Sequence, residues 1–242
     1  MTAVVVTMAG ESRRFREAGY AVPKYRLRVR GRTLFHWAMD SLRWYVEDGA
    51  RLVLVGRRDD AGLADFARRE CAQSGLGRPT VVQLDGVTSG QAETVLAAAE
   101  HVDDRERLVI YNIDTHVRPG VLGPATVRAD GCIPCFPGQG DGWSFVAADA
   151  AGRVTAVAEK ERISPHASVG LYAFRDLATY RAAYDATPLS TAGGGRGERY
   201  VAPLYTTLIE QGHDIRLVTI DAADVVALGT PDEARRVGPI AV

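Results

Sequence analysis

Two cationic residues near the N-terminus have the types and spacing that bind phosphate groups. Arg14 and Lys24 follow Thr7-Met8-Ala9-Gly10, a run of small residues that turns the chain after the buried strand Val4-Val5-Val6. Backbone N–H groups in such a turn can approach an anion, a guanidinium forms paired hydrogen bonds to phosphate oxygens, and an ammonium supplies a point charge. Pro23 stiffens the backbone that carries the lysine. The segment therefore predicts a triphosphate-binding loop formed by Met8, Ala9, Gly10, Glu11, Ser12, Arg13 and Arg14, with Lys24 beside it.

One aspartate is placed to hold a metal ion. Asp114 follows the strand Leu108–Asn112, whose strong β formers end just before the carboxylate. Mg2+ takes oxygen ligands, and side chains at the carboxyl ends of parallel strands face the binding edge of an α/β sheet. The pattern predicts Asp114 as a Mg2+ ligand and Asn112 as part of the nucleotide site. A loop aspartate that caps a turn is the alternative.

Composition and charge restrict the class of protein. The chain has 242 residues, 46% apolar residues, a net charge of −1 and a pI of about 6.5. It has neither the strong basic charge of a nucleic-acid-binding protein nor a long apolar run, and we expect no leader segment. We expect a cytoplasmic protein that binds neither nucleic acid nor membrane. We also expect a single domain, 1–242, with a nucleotide-binding half over 1–128 and an acceptor-binding half over 129–242.

The elements that must position these residues alternate between strand and helix. The pattern favours an α/β fold with a Rossmann-like, doubly wound, mostly parallel mixed sheet in three α/β/α layers. In the first half we predict helices over Leu34–Trp44, Ala61–Gln73 and Gln91–His101, and strands over Arg51–Gly56, Thr80–Leu84 and Leu108–Asn112. In the second half we predict short strands over Gly131–Pro137, Trp143–Ala147, Val154–Glu159, Gly170–Phe174 and Ile215–Ile220, and helices over 198–211 and from Thr230.

Two further segments have chemistry that the sequence leaves open. Ser190–Gly197 contains three consecutive glycines and is interpreted either as a mobile lid or as a spacer without a catalytic role. Cys132 and Cys135 have C-x-x-C spacing, but no second cysteine pair or histidine cluster completes a zinc site. We expect reduced, packed thiols.

The order of these elements resembles the sugar-nucleotidyltransferase-like superfamily, which has a GT-A-like pyrophosphorylase fold. The resemblance extends from Val4 to about Arg235 and rests on A-G-x-S-x-R-F, P-K-Y-x-L, Y-N-I-D-T, A-E-K and G-x-Y-x-F. It implies that the first loop covers the β- and γ-phosphates and that Lys24 contacts the phosphates. The chain departs from the pattern at Ser12, where the superfamily has a second loop glycine.

The resemblance also suggests roles for residues outside the first loop. Gly90 and Gln91 are similar to the turn that reads the base, although an unliganded glutamine at a helix start is the alternative. Glu159, Lys160 and Gly170 match elements that bind the acceptor, with Lys160 against its phosphate; Glu-Lys is also a common exposed dipeptide. Arg199 is either a ligand of an anionic acceptor or part of a surface salt bridge. A second metal aspartate is absent, because Ala227 occupies its position, so we expect Mg2+ to be held by Asp114, triphosphate oxygens and water.

Further motifs narrow the resemblance: A-G-Y-x-x-P-K-Y, W-S-F, A-E-K, I-S-P-H-A-S-V-G-L-Y and V-A-P-L-Y. By these motifs the chain resembles, within the superfamily, capsule-type and phosphonate cytidylyltransferases. The leading hypothesis is transfer of CMP from CTP to a small phosphonate or phosphate acceptor with release of pyrophosphate, with Arg14, Lys24 and Lys160 as the catalytic residues. Uridylyl or thymidylyl transfer to a sugar 1-phosphate is the alternative. A third hypothesis is a nucleotide-sensing protein without turnover. It is suggested by Ser12 and Ala227, where the chain departs from the superfamily pattern. The chain is compatible with a homo-oligomer or with fusion to a larger enzyme.

Overall fold

The computed structural model describes residues 1–123, 129–188 and 197–242. The strands within these ranges are β1 (Thr2–Thr7), β2 (Arg28–Val29), β3 (Arg32–Thr33), β4 (Arg51–Arg57), β5 (Thr80–Leu84), β6 (Arg107–Asn112), β7 (Thr115–Val117), β8 (Gly131–Pro137), β9 (Ser144–Ala148), β10 (Val154–Glu159), β11 (His166–Ser168), β12 (Leu171–Phe174), β13 (Ile215–Thr219), β14 (Val225–Ala227) and β15 (Ile240–Ala241). The helices are α1 (Arg13–Glu17), α2 (Leu34–Asp40), α3 (Arg43–Glu47), α4 (Leu63–Gln73), α5 (Gln91–Leu96), α6 (Leu177–Ala186), α7 (Leu204–Glu210) and α8 (Pro231–Val237), with 3-10 turns at Lys24–Arg26, Ala99–His101 and Ala222–Asp224.

One mixed sheet runs through the molecule and confirms the α/β fold class. Its order is β10-β9-β11-β8-β12-β6-β1-β4-β5, and β13 pairs with β8 off this path. The strands β6, β1, β4 and β5 are parallel, whereas β12, β8, β11, β9 and β10 pair antiparallel along the path. The parallel strands place their carboxyl ends at one edge, where β1 ends before Met8 and β6 ends before Asp114.

The central strand β1 is buried on both faces. Val4 and Val6 pack in one apolar cluster with Phe35 and Met39 of α2, whereas Val5 packs on the opposite face with residues of α5, α6 and α7. Side chains alternate across a strand, so an unbroken run of valines fills both layers at once. Helices therefore cover both faces of the sheet, as the sequence predicts.

Three predicted helices differ from the structure in length. The helix predicted over Leu34–Trp44 is two helices, α2 and α3, with a break at Ser41, whose buried hydroxyl accepts a hydrogen bond from the Val117 N–H at 2.8 Å. The helix predicted over Gln91–His101 ends as an α-helix at Leu96 and continues only as a 3-10 turn. The helix predicted over 198–211 begins at Leu204, because the chain before it is tied to another loop.

Short strands formed by distant partners were not predicted. β7 pairs with β14 antiparallel, β11 inserts between β8 and β9, and β2, β3 and β15 form a small separate sheet. The glycine tract Ser190–Gly197 lies, apart from Gly197, outside the described residues. None of the helices in the described ranges is long and apolar enough to span a membrane.

The two cysteines of the C-x-x-C pair lie on opposite faces of β8. Cys132 packs in the apolar cluster on one side of β8 and Cys135 in the cluster on the other side, and both thiols are free. Burial raises the pKa of Cys132 to about 12 and that of Cys135 well above its usual range. Burial also raises the pKa of Cys71 to about 12.

We predict that the folded protein does not react with the thiol reagent DTNB at pH 8. The thiolate is the reactive form, and each cysteine is buried with a raised pKa. Absorbance should report no labelling under native conditions and all three thiols after unfolding in urea. Fast labelling of the native protein would contradict the packed arrangement.

Candidate active site

The loop after β1 takes its shape from Ser12, the residue that departs from the expected glycine. Ser12 has φ +54°, in the left-handed region that glycine usually occupies. Its hydroxyl accepts a hydrogen bond from the backbone N–H of Lys24 at 3.1 Å. The serine therefore keeps the sharp turn and also ties the loop to the segment that carries the lysine.

Lys24 and Asp114 meet directly. The Lys24 ammonium lies 2.6 Å from Asp114 Oδ2, with 18% and 29% of the two side chains exposed. Pro23 starts the 3-10 turn that presents the lysine, and the Leu228 N–H donates to the Asp114 carbonyl at 2.8 Å. Residues 90 positions apart thus form one ion pair at the sheet edge.

This pair lies in a cleft of about 760 Å³. The cleft brings together most of the residues that the sequence singles out: Met8, Ala9, Gly10, Glu11, Ser12, Arg13, Arg14, Lys24, Gly90, Gln91, Asn112, Asp114, Glu159 and Gly170. Lys160 and Arg199 are not among the residues that line it. His116, which the sequence also places near Asp114, is buried outside the lining, with Nδ1 2.8 Å from the Trp37 carbonyl oxygen.

Amide side chains form one wall of the cleft. The Gln91 Nε2 group donates to the Thr7 hydroxyl at 3.2 Å and to the Asn112 side-chain oxygen. Asn112 is in turn packed against Gly170, where a Cβ atom would lie 2.6 Å from the Asn112 amide nitrogen. Because Gly170 has no side chain, it leaves room for the Asn112 side chain. With its amino group engaged, Gln91 can offer its carbonyl oxygen to a base N–H.

Glu159 lies at the other end of the cleft, at the end of β10. The Ser144 hydroxyl donates to its carboxylate, and Ser144 also lies 3.0 Å from the Tyr172 hydroxyl oxygen. Burial raises the pKa of the Glu159 carboxyl, and the Ser144 hydrogen bond and the charge of Lys160 oppose that rise. Glu159 is thus a partly shielded acceptor of hydrogen bonds.

Lys160 is turned out of the lining by its backbone, which has φ +56°. Its ammonium donates to the Tyr200 hydroxyl at 2.5 Å and lies 4.4 Å from the centroid of that ring. Tyr200 donates to Glu198, and both of these residues line the cleft. In this structure Lys160 therefore contacts a residue of the cleft lining, Tyr200, and does not line the cleft itself.

Arg199 lies outside the cleft lining, and its backbone holds a loop that belongs to the lining. Its guanidinium lies 4.3 Å from the centroid of the Tyr184 ring and donates to the Tyr184 carbonyl at 3.1 Å. Its N–H donates to Ser89 and its carbonyl accepts from Ala92, both at 2.9 Å. These bonds tie the chain before Leu204 to the loop that precedes α5.

Trp143 and Glu233 line the cleft but were not predicted as site residues; Glu198 and Tyr200 also line it, in a segment whose resemblance to relatives suggested the acceptor pocket without a role for either residue. One signal in the composition points to the site. The chain has 29 lysine and arginine residues, of which Lys24 and Lys160 are the only lysines. The protein uses arginine for its other positive side chains and has lysine only at these two positions, in the cleft lining or in contact with it.

Comparison with solved structures identifies the family. The chain is similar to a nucleoside-diphosphate-sugar pyrophosphorylase from Vibrio cholerae RC9, with 35% identity over 97% of this chain and 98% of that chain, and a TM-score of 0.87. The chain belongs to the sugar-nucleotidyltransferase-like superfamily. The resemblance found in the sequence is thereby confirmed.

Two more distant structures of the superfamily share the fold. They are the inositol-1-phosphate CTP transferase from T. maritima, with 16% identity over 96% of this chain and 91% of that one and a TM-score of 0.75, and a Bacillus anthracis protein assigned as a glucose-1-phosphate thymidylyltransferase, with 14% identity over 98% and 94% and a TM-score of 0.76. No family model matches the chain, and the comparison with curated proteins also finds no match.

We predict that Gly90→Ala destabilises the protein. Gly90 has φ +151°, and a Cβ atom there would lie 2.4 Å from the Arg199 carbonyl oxygen. The clash with backbone and the strained φ should lower the free energy of unfolding by about 1–3 kcal/mol, as measured by urea denaturation.

Gly86→Ala is the matched control for this variant. Gly86 lies on the same loop with no atom within 4 Å of the added Cβ and without a positive φ. Equal stability of the two variants would show that Arg199 does not hold the loop at Gly90.

Proposed function

We propose that this chain is a cytoplasmic cytidylyltransferase that transfers CMP from CTP to a small phosphonate or phosphate acceptor and releases pyrophosphate. The observation that carries the proposal is the 2.6 Å contact between Lys24 and Asp114 under the first loop of the cleft. A cation for phosphates and a carboxylate for a metal ion are the two groups that nucleotidyl transfer needs in one place.

The nucleotide is assigned to the half over 1–128 and the acceptor to the half over 129–242. All the cationic residues that line the described cleft, Arg13, Arg14 and Lys24, come from the first half. The charged lining residues of the second half are all acidic: Glu159, Glu198 and Glu233. This division supports binding of the triphosphate, the more anionic substrate, at the first loop.

Mg2+ is the proposed cofactor, and the residues present fit it. Within the described ranges no group of three or more His, Cys, Asp or Glu residues is arranged to hold a metal ion. Mg2+ needs no such cage, since it is commonly bound by one or two carboxylates together with substrate phosphates and water. Asp114 supplies a carboxylate in the cleft, and the bound ion would neutralise charge on the triphosphate.

Base recognition is assigned to Gly90 and Gln91, with Asn112 as support. The Gln91 amino group is engaged by Thr7 and Asn112, which leaves its carbonyl oxygen as an acceptor. The exocyclic amino group of cytosine is a matching donor. The neighbour named as an inositol-1-phosphate CTP transferase is consistent with CTP as the donor.

The acceptor is assigned to Glu159, Lys160, Gly170 and Arg199. Because Glu159 presents a carboxylate, the body of the acceptor must supply donors such as hydroxyl groups. To contact the acceptor's anionic group, the Lys160 ammonium would have to break its hydrogen bond with Tyr200. This requires rotation of the lysine side chain. Arg199 would have to leave Tyr184 to make the same contact.

In the proposed reaction an ionised phosphonate or phosphate oxygen of the acceptor attacks the α-phosphorus in line. A new P–O bond forms, the bond between the α-phosphorus and the bridging oxygen breaks, and pyrophosphate leaves with that electron pair. The attacking oxygen is already ionised at neutral pH, so no protein nucleophile or general base is required. The protein's task is to position two anions and offset their repulsion.

Uridylyl or thymidylyl transfer to a sugar 1-phosphate is the second candidate. The relative at 35% identity is named as a nucleoside-diphosphate-sugar pyrophosphorylase, and another neighbour is assigned as a thymidylyltransferase. A pyrophosphate-release assay with CTP, UTP, dTTP and ATP, each paired with hydroxyalkylphosphonates and with sugar 1-phosphates, separates the candidates. Nucleotide binding without turnover in every combination would favour a sensing protein.

We predict that Lys24→Ala lowers turnover by about 10²–10³-fold, the scale of one preorganised electrostatic contact. Lys24→Arg should fail to restore wild-type turnover, because a planar guanidinium does not replace a point charge against a single carboxylate oxygen. Pyrophosphate release measures both variants.

Arg58→Ala is the control, since Arg58 is exposed and paired with Asp85 outside the cleft lining. It should retain wild-type turnover. Undiminished pyrophosphate release by Lys24→Ala would contradict the proposed triphosphate site.

We predict that Glu159→Gln raises the KM for the acceptor by about tenfold or more, the loss of one hydrogen bond to a charged group, and leaves the KM for CTP unchanged. Steady-state kinetics with each substrate varied in turn measures the two constants. Glu161→Gln, an exposed carboxylate two residues along the chain, is the control. A rise in the KM for CTP alone would place Glu159 on the nucleotide side.

A further inference from the structure

A second carboxylate faces Asp114 across a glycine. A Cβ atom on Gly229 would lie 3.2 Å from Asp114 Oδ2 and 3.5 Å from Glu233 Oε2. The absent side chain therefore leaves a small space that is bordered by one carboxylate oxygen from each residue. Gly229 and Glu233 both line the cleft.

The backbone fixes the position of Gly229 relative to Asp114. β14 pairs with β7, so that Ala227 lies opposite Thr115, the residue after Asp114. The Leu228 N–H then donates to the Asp114 carbonyl at 2.8 Å. The space beside Gly229 is thus a product of strand pairing rather than of a free loop.

The position of Glu233 is fixed by the start of α8. Its Oε2 accepts from the Thr230 N–H at 2.8 Å, and its own N–H donates to the Thr230 hydroxyl at 3.2 Å. This reciprocal pair is a capping box. Capping needs only an acceptor at this position, which a glutamine also supplies, so the helix start does not require the negative charge.

The negative charge of Glu233 disfavours triphosphate binding unless a cation is present. A triphosphate in this cleft would lie beside the carboxylates of both Asp114 and Glu233, whereas Lys24 offers one positive charge to Asp114. Like charges within a few ångströms in a partly shielded site repel strongly. A divalent cation between the carboxylates and the phosphates converts this repulsion into attraction.

We propose that Glu233 is the second carboxylate of the cation site, beside Asp114. The inference rests on the proposed function. It replaces the expectation that Asp114 is the single protein carboxylate that binds Mg2+. One or two carboxylates with substrate phosphates is the ligand set that Mg2+ takes at such sites. Glu233 lies six residues after Ala227, the position at which the resemblance to the superfamily predicts an acid.

The test measures Mn2+ binding to the full chain in the presence of CTP and without acceptor. The electron paramagnetic resonance signal of free Mn2+ reports how much of the ion is bound. Glu233→Gln keeps an acceptor for the Thr230 N–H and removes the charge. It should weaken Mn2+ binding by about 10–100-fold, the range seen when a group that supports a metal site is lost. Thermal unfolding should be unchanged. Asp232→Asn, an exposed neighbour paired with Arg235, is the matched control and should bind Mn2+ as wild type does.

Thr230→Ala separates the two roles of this segment. It removes the hydroxyl half of the capping box and keeps the Glu233 carboxylate. We expect a lower melting temperature with unchanged Mn2+ affinity, the opposite of the Glu233→Gln result. Loss of Mn2+ affinity in Thr230→Ala, with no loss in Glu233→Gln, would assign Glu233 to capping alone and overturn the inference.

Wild-type turnover distinguishes failure of this inference from failure of the proposed function. If wild type releases pyrophosphate and Glu233→Gln binds Mn2+ equally well, the inference is wrong and the function stands. If wild type neither binds Mn2+ with CTP nor releases pyrophosphate with any substrate pair, the function is wrong and the inference falls with it.

Discussion

The arrangement of the cleft depends on one ion pair, between the Lys24 ammonium and the Asp114 carboxylate. An ion pair this accessible to solvent contributes on the order of 1 kcal/mol or less to the free energy of unfolding. Its importance is positional, because it joins the segment after the first loop to the end of β6. Before any substrate binds, the lysine occupies the carboxylate that a metal ion would need. If Asp114 holds Mg2+ as proposed, substrate binding would exchange one cation for another at this carboxylate.

Two structural devices keep this ion pair at the sheet edge. The first is the run of parallel strands, in which β1 and β6 lie side by side and end at the same edge. The second is the bond from the Lys24 N–H to the Ser12 hydroxyl, which fixes where the lysine backbone starts. The first device is common to α/β proteins, whereas the second depends on the serine at position 12. A glycine at position 12 would keep the turn but lose the tie.

The sequence predicts the parts of the site that local patterns encode. Local patterns were enough to single out the first loop, Lys24 and Asp114, which the structure brings together in one cleft. The sequence does not predict what depends on distant pairing: β14 beside β7 brings Glu233 to Asp114, and Arg199 backbone closes over Gly90. It also cannot give side-chain direction, so Lys160 and Arg199 were predicted by type while their side chains pack on tyrosines.

The scarcity of lysine has a chemical consequence. Because Lys24 and Lys160 are the only lysines, the ε-amino groups of the protein are confined to the cleft and to the residue that contacts its Tyr200 wall. Acylating reagents that modify lysine side chains would therefore report on occupancy of this region. The same scarcity means that enzymatic acetylation of any lysine in this chain would neutralise charge at or beside the cleft.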